Sequence, residues 1–220
     1  MGLAEDLLPG VLSELRTRGY AHVRLPLELD AYLVLASALG DVVGEERFAL
    51  RPGAHAYVAR PDPVPMHTDQ PEVQVIGWWC ERQDDLDGAS LLLDSSPVTE
   101  ALPIELRDRL REVHLVTPPL HGGPPTMQWP VLRRHGDSDA IFCSPWLRSA
   151  LPIPEHERAL DSFRERLSAT ILKDRISIRL GRGEALFVDN TRVLHGRDAI
   201  APGSRRALHR RWMAGAPVAA

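Results

Sequence analysis

The sequence is poor in cysteine, in aromatic residues and in long apolar runs, and these shortages exclude several classes of protein. Two cysteines in 220 residues, Cys80 and Cys143, can form one bridge at most, so a disulfide-stapled secreted scaffold is excluded and we expect buried free thiols. The longest apolar runs, such as 75–79 and 91–93, are far shorter than the roughly 20 residues of a membrane-spanning helix. Acidic residues stand near the start where a secretory signal would carry basic ones. We therefore expect a cytoplasmic protein without membrane contact.

The charge pattern argues against a nucleic-acid partner. The net charge is −4, and basic residues form no stripe with interleaved aromatic residues. Apolar residues make up 44% of the chain and charged residues 25%, which is ordinary globular composition. Since no repeat, low-complexity tract or linker divides the chain, we expect residues 1–220 to form one domain. The oligomeric state stays open.

Many short predicted strands separated by turns indicate a mainly β fold with flanking helices (α+β), built on a double-stranded β-helix (jelly-roll, cupin-like) core. Residues 1–50 are predicted to pack on this core as helical and strand elements, and residues 51–215 form the core itself with a helical insertion at 155–173. The proline-rich segment 61–65 is predicted to be an irregular connection. Predicted helices are Leu7–Arg18, Asp30–Leu39 (capped by Asp30), Ile104–Arg111 and Glu155–Lys173; predicted strands are Tyr20–Leu25, Ala54–Arg60, Val73–Glu81, Ala89–Leu93, Val113–Thr117, Gln128–Arg134, Ala140–Ser144, Ile176–Leu180, Ala185–Val188, Arg192–His195 and Arg206–Met213.

Three side chains form a candidate metal site. His67 and Asp69 leave the same face of an extended segment because side chains alternate along a strand, and His195 follows a hydrophobic strand much later in the chain. Two imidazoles and one carboxylate leave three positions of an ion open, as in non-haem Fe(II) oxygenases. A His-x-Asp pair alone is equally typical of a turn with a hydrogen-bonded histidine. The order and setting of further motifs therefore decide the interpretation.

Four motifs carry a family resemblance, and they occur in the family's order: His67-Thr68-Asp69, Asp87-Gly88-Ala89-Ser90, residues 189–197, and Arg206-Ala207-Leu208-His209-Arg210. From about Leu12 onwards the chain resembles the Fe(II)/2-oxoglutarate-dependent oxygenases of the taurine dioxygenase and clavaminate synthase superfamily. The resemblance implies three cofactors, namely Fe(II), the cosubstrate 2-oxoglutarate and O2. It also implies that His67, Asp69 and His195 are the metal ligands and the catalytic centre.

The resemblance further assigns residues to the two organic reactants. Arg206 and Ser90 match the pair that binds the distal carboxylate of 2-oxoglutarate, a task that suits the planar fork of a guanidinium. Arg210 matches an arginine that commonly binds the anionic group of the substrate; a structural ion pair or a share in the cosubstrate are the alternatives. Weaker candidates for substrate contact are Gln70, Glu72, His121 and Trp78. For Trp78 the alternative is burial in the sandwich without substrate contact. For His121 the alternative is a position in an exposed loop.

The activity that the resemblance implies is hydroxylation of an unactivated C–H bond in a small carboxylate-bearing substrate. We favour a free amino acid or an amino-acid-derived precursor of secondary metabolism. Asp69 fills the position that related halogenases leave open for chloride, which argues against halogenation. The alternatives are a catabolic sulfonate or aryloxyalkanoate dioxygenase and, in another class, a non-catalytic metal-binding jelly-roll module or a zinc enzyme. Arg206 with Ser90 argues against the latter class, since a zinc hydrolase needs no carboxylate clamp.

Overall fold

The computed structural model describes residues 2–50, 59–83, 87–117, 127–136 and 138–215. The helices in these ranges are α1 (Leu3–Arg18), α2 (Leu29–Ala38), α3 (Ser96–Glu100), α4 (Ile104–Glu112) and α5 (Pro154–Asp174). The strands are β1 (Tyr20–Val23), β2 (Asp41–Ala49), β3 (Val64–His67), β4 (Val75–Arg82), β5 (Ser90–Asp94), β6 (His114–Thr117), β7 (Met127–Pro130), β8 (Leu132–His135), β9 (Ser138–Ile141), β10 (Ile176–Ile178), β11 (Ala185–Asp189), β12 (Val193–Arg197) and β13 (Ala207–Ala214).

Two antiparallel sheets form the jelly roll. The larger sheet has the strand order β1-β11-β4-β13-β2, and the smaller one has the order β10-β5-β12-β3. Apolar side chains from both sheets meet in one buried cluster that includes Ile76, Leu92, Leu186 and Val193. From β2 to β5 and from β10 to β13, strands that follow one another in the chain alternate between the two sheets, and the predicted fold class is confirmed.

Helices cover the structure on two sides. A second buried cluster joins α1 and α2 to the outer face of the larger sheet, through side chains such as Leu15, Leu35 and Phe187. A third cluster joins α5 to α4 and to the hairpins β6-β7 and β8-β9, with Leu110 and Phe163 fully buried. None of the helices in the described ranges is both long and apolar enough to cross a membrane.

Several predicted boundaries are wrong, and the largest error is at the N-terminus. Strands β1 and β2 belong to the larger sheet itself, so residues 1–50 contribute to the sheet in addition to packing on it. Strand β2 was not predicted. The cap of α2 is Glu28 rather than Asp30, and α1 starts four residues before the predicted Leu7. Residues 54–58 of the predicted strand Ala54–Arg60, and the predicted loop around His121, lie outside the described residues.

The prediction that all of 61–65 is irregular is also wrong, because β3 includes Val64 and Pro65. Strand β3 lies at the edge of the smaller sheet, with β12 as its neighbour. Proline is tolerated in an edge strand, where its missing N–H can face away from the ladder. His67 is the last residue of this edge strand, so no irregular connection separates it from the sheet.

Candidate metal centre

Strand pairing brings the three predicted ligands together. His195 lies opposite His67 in the register of β12 with β3, and Asp69 follows two residues after β3 ends. Nε2 of His67 is 3.4 Å, and Nε2 of His195 is 3.7 Å, from Oδ1 of Asp69. One nitrogen or oxygen from each residue lies within 4.8 Å of the others. Residues from both ends of the sequence therefore form one cluster.

The loop that carries Asp69 is braced by Asn190. Its Oδ1 accepts a hydrogen bond of 2.7 Å from the backbone N–H of Asp69. Its Nδ2 donates to the carbonyl oxygens of Gln70, at 3.1 Å, and Val73, at 2.9 Å. Asn190 is buried just after β11, so the larger sheet fixes the loop after β3.

Both imidazoles present a nitrogen suited to a metal. Nδ1 of His67 donates to the carbonyl oxygen of Pro65 at 2.8 Å, which leaves the lone pair of Nε2 free toward Asp69. Burial, followed by the proximity of His67, lowers the pKa of His195 to about 4, so this ring is neutral at neutral pH. Among the described residues neither ring nitrogen of His195 has a hydrogen-bond partner. A buried nitrogen without a partner is costly, and coordination to a metal would remove that cost.

The two oxygens of Asp69 have different surroundings. Oδ1 faces the imidazoles, whereas Oδ2 accepts a 2.6 Å hydrogen bond from Nε1 of Trp212 and a 3.5 Å contact from Nη1 of Arg210. Burial alone would raise the pKa of Asp69, but the Arg210 guanidinium and the two histidines hold this pKa well below its usual range. Asp69 is therefore a carboxylate at neutral pH. Two neutral nitrogens and one carboxylate form a donor set that fits Fe(II).

A cavity lies between the sheets on one side of the cluster. It is lined by Phe48, Val64, His67, Trp78, Ser90, Leu92, Leu186, His195, Gly196, Arg197, Arg206, Leu208 and Arg210. Arg206 is 4% exposed, and its Nε donates to Oε1 of Gln83 at 2.9 Å. Gly88 makes room for it, since a Cβ there would lie 3.0 Å from Cδ of Arg206. Three buried guanidinium groups make this cavity strongly cationic.

A second cavity opens on the other side of His67 and Asp69. Its lining consists of His67, Thr68, Asp69, Gln70, Thr117, Phe142, Ser144, Trp146 and Leu147. Lysine and arginine are absent from this lining, as far as the described residues form it. Oγ of Ser144 is buried without a hydrogen-bond partner in the same part of the chain. His67 thus separates a cationic cavity from a largely neutral one.

The sequence of the chain matches a known family over most of its length. The profile of the taurine catabolism dioxygenase TauD, TfdA family covers residues 24–212. The chain belongs to this family. The predicted superfamily and the predicted enzyme class, a dioxygenase, are thereby confirmed.

Solved structures share the fold. An asparagine oxygenase in complex with Fe(II), 2S,3S-3-hydroxyasparagine and succinate superposes with a TM-score of 0.73 at 20% identity, over 96% of this chain and 79% of that one. The non-haem iron oxygenase OrfP in complex with Fe and alpha-ketoglutaric acid superposes with a TM-score of 0.71 at 19% identity, over 96% and 81%. No curated protein matches the sequence.

The dioxygenase fold places the predicted cosubstrate residues, Ser90 and Arg206, in the lining of the cationic cavity. Arg210 lines the same cavity. Its Nη2 lies 3.1 Å from Oε2 of Glu46, and its guanidinium lies 4.0 Å above the centre of the Trp212 ring. Arg210 is thus held between two carboxylates, those of Glu46 and Asp69.

The weaker substrate candidates fall in different places. Gln70 lines the neutral cavity, and Trp78 lines the cationic one with its ring 5.2 Å from that of His195. Glu72 lines neither cavity, and its Oε2 is buried without a hydrogen-bond partner among the described residues. His121 lies outside the described residues.

Sequence reasoning missed Trp212 and Trp146. Trp212 is two positions after Arg210 on one strand, so the alternation of side chains along a strand could have indicated that the two lie on one face. Trp146, whose ring is 4.8 Å from that of His67, follows β9 in an irregular segment. No periodic signal marks a residue in such a segment.

Proposed function

We propose that this protein is an Fe(II)/2-oxoglutarate-dependent dioxygenase that hydroxylates an unactivated C–H bond of a small molecule. One observation carries the proposal: His67, Asp69 and His195 converge beside a cationic and a neutral cavity, and His67 lines both. A site that must bind a dianionic cosubstrate and a separate substrate beside one metal needs both spaces.

In this proposal His67, Asp69 and His195 hold the iron. When bound, the iron supplies the oxidative chemistry together with the cosubstrate and O2, while the protein decides which hydrogen is presented. The neutral imidazole of His195 and the ionised Asp69 need no proton loss before binding a cation. Because Asp69 occupies the third protein position, we propose hydroxylation rather than halogenation.

We propose that the cationic cavity binds 2-oxoglutarate, with Arg206 and Ser90 at its distal carboxylate. A guanidinium can donate two parallel hydrogen bonds to a carboxylate, and Ser90 adds a hydroxyl. The aliphatic side chains of Leu92, Leu186 and Leu208 in the same lining suit the methylene groups of the diacid. The cavity between the sheets also keeps bulk water from the cosubstrate.

We propose that the substrate enters the neutral cavity and is a free amino acid or an amino-acid-derived precursor. Phe142, Trp146 and Leu147 provide apolar surface for its carbon skeleton, and Gln70 and Ser144 provide polar groups. Arg210 lines the cationic cavity but lies 3.5 Å from Asp69, which lines the neutral one. We propose that the substrate carboxylate reaches past Asp69 to Arg210, which would exchange its contact with Glu46, whose side chain is 38% exposed. The complexes of the two similar oxygenases with hydroxylated asparagine and arginine support this choice.

A second candidate substrate is a sulfonate, because the matched family is described by taurine catabolism. A sulfonate would use the same Arg210 as its anion partner. Turnover assays with both kinds of compound can distinguish the two candidate substrates, because an amino acid carries an ammonium group and a carboxylate on one carbon.

The metal and cosubstrate assignments are tested without a substrate. Anaerobic addition of Fe(II) and 2-oxoglutarate should produce a weak visible charge-transfer band, and the band should be missing in Asp69→Ala. Turnover is then tested with the twenty L-amino acids and with taurine, by succinate release and by a product heavier by one oxygen atom. A wild-type protein without the band would overturn the proposal, whereas a band without turnover on any of these compounds would overturn only the substrate choice.

A further inference from the structure

Oδ2 of Asp69 accepts a hydrogen bond from a side chain that lies outside the four family motifs. Nε1 of Trp212 donates to Oδ2 of Asp69 at 2.6 Å, and the indole is 5% exposed. A hydrogen bond to an ionised carboxylate is shorter and roughly twice as strong as one between neutral groups. This contact joins β13 of the larger sheet to the loop that follows β3 of the smaller one.

The surroundings of Trp212 keep its N–H aimed at Asp69. On β2 the residue opposite Trp212 is Gly44, and a Cβ there would lie 2.9 Å from Cε3 of the indole. The guanidinium of Arg210 lies 4.0 Å from the ring centre. A cation at this distance over tryptophan is an attractive contact. The ring therefore packs closely against a glycine and also contacts a cation.

The simpler interpretation is that Trp212 is a core residue whose buried N–H requires a hydrogen-bond acceptor of any kind. Trp79 is such a residue: its Nε1 donates to the backbone oxygen of Leu27 at 2.9 Å, remote from the cluster. Trp212 differs because its acceptor is the predicted metal ligand, and because the accepting atom is the oxygen turned away from His67 and His195. The contact thus decides which oxygen of Asp69 is left for the metal.

From this geometry we infer that Trp212 is a positioning residue that restricts Asp69 to one-oxygen coordination. The inference rests on the proposed metal site. With Oδ2 occupied by the indole N–H and by Arg210, Oδ1 alone points toward the histidines. A metal held by His67, Asp69 and His195 would then receive one oxygen from Asp69, which would leave room for the cosubstrate and dioxygen. Without the indole N–H, the carboxylate of Asp69 would be free to rotate and could offer both oxygens to the metal.

The test uses Co(II) as a probe under conditions in which no oxidation occurs. Trp212→Phe keeps most of the ring and removes the N–H. We expect its dissociation constant for Co(II) to rise about 10- to 100-fold, the range found when a partner of a metal ligand is removed. The visible spectrum of bound Co(II) should also change, because the number or arrangement of coordinating oxygens changes. Thermal unfolding measured without metal separates this effect from a loss of stability.

The matched control is Trp79→Phe, which removes an indole hydrogen bond elsewhere and should leave the Co(II) spectrum and affinity at wild-type values. Gly44→Ala supplies an independent variant, since its Cβ would displace the indole without touching a ligand; it should change the spectrum in the same sense. Wild-type affinity and spectrum in Trp212→Phe would overturn the inference. Failure of the wild-type protein itself to bind Co(II) through His67 and Asp69 would instead overturn the proposed metal site.

Discussion

Arg206 is the residue on which the choice of cosubstrate depends most. It is almost fully buried, it lines the cationic cavity with Ser90, and Gly88 gives its aliphatic stem room to pass. A lysine at this position would keep the charge but lose the planar fork, because an ammonium group is a point charge on a flexible stem. Replacing Arg206 by lysine therefore changes the geometry of the side chain while its charge is kept.

We predict that Arg206→Lys raises the dissociation constant for 2-oxoglutarate by about 10- to 100-fold, since a hydrogen bond to a charged group contributes about 1.5–3 kcal/mol. The affinity for Co(II) alone should stay unchanged, because Arg206 is not one of the three proposed ligands. Titration of the charge-transfer band with 2-oxoglutarate measures the first quantity. The neighbouring Arg205 is exposed, so Arg205→Lys is the matched control. An unchanged dissociation constant in Arg206→Lys would remove Arg206 from the cosubstrate site.

At the scale of the element, the cluster depends on how closely β3 approaches β12. Gly196, next to His195, lies where the two backbones meet: a Cβ there would lie 2.7 Å from the carbonyl oxygen of Val64 and 3.0 Å from Sδ of Met66. Backbone atoms cannot yield as a flexible side chain can. A glycine is therefore needed for His67 and His195 to lie side by side.

We predict that Gly196→Ala destabilises the protein by about 1–3 kcal/mol, the usual cost of overpacking, and also weakens Co(II) binding. Metal binding should suffer because β3 and its His67 are pushed away from His195. Gly10 offers the contrast: it lies inside α1 with nothing within 4 Å of an added Cβ, so Gly10→Ala should stabilise the helix by about 0.5–1 kcal/mol. Thermal unfolding and a Co(II) titration check both variants. Wild-type metal affinity in Gly196→Ala would show that the pairing of β3 with β12 tolerates displacement.

Elements with a strong internal period were predictable, and elements defined by their partners were not. The apolar stripe of α5 predicted that helix to within one residue at each end. Strand β2 was missed because its central residues are largely exposed and charged; it exists as an edge strand through its pairing with β13. The predicted strand Gln128–Arg134 is two strands, because Val131 leaves the ladder between them: its N–H donates to Val113 and its carbonyl oxygen accepts from Phe142.

The same distinction applies to the site. His67 and Asp69 were predictable from their local spacing, although Asp69 lies in the loop after β3 and not on the strand whose alternation suggested the pair. Asn190, Gly44 and Trp212 act on Asp69 through the pairing of strands far apart in sequence. A local sequence pattern does not reveal which strands pair or in which register. The residues that contact a metal ligand from another strand can therefore be identified only from the three-dimensional structure.

At the scale of the whole molecule, two separate clusters of apolar side chains flank the metal site. Cys80 lies in the cluster between the sheets, and Cys143 lies in the cluster beneath α5. Both thiols are buried and unpaired, as predicted. Burial raises the pKa of each thiol to about 11. Each cysteine therefore reports on the integrity of one cluster.

We predict that neither thiol reacts with Ellman's reagent at pH 8 in the folded protein, because both are inaccessible and protonated. Since the folded pKa of about 11 exceeds the 9.0 of a free thiol, burial of the neutral form stabilises the fold below pH 9, and this contribution disappears as the pH rises through 11. Stability measured by urea unfolding should accordingly fall between pH 9 and pH 11. Cys80→Ala and Cys143→Ala show which thiol is responsible.

The same thiols test whether residues 1–220 form one cooperative domain. Asp69 follows β3 of the smaller sheet, and its backbone N–H donates to the side chain of Asn190, which follows β11 of the larger sheet. The backbone N–H of Thr68 donates to the carbonyl oxygen of Cys143. The loop that carries Asp69 therefore connects the two apolar clusters, and we expect the clusters to unfold together. In a urea series, Cys80 and Cys143 should become reactive at one midpoint that coincides with the loss of circular dichroism. Exposure of Cys143 at lower urea than Cys80 would mean that the α5 side opens as a separate unit, and the neutral cavity, which that side walls through Phe142 and Ser144, would open with it.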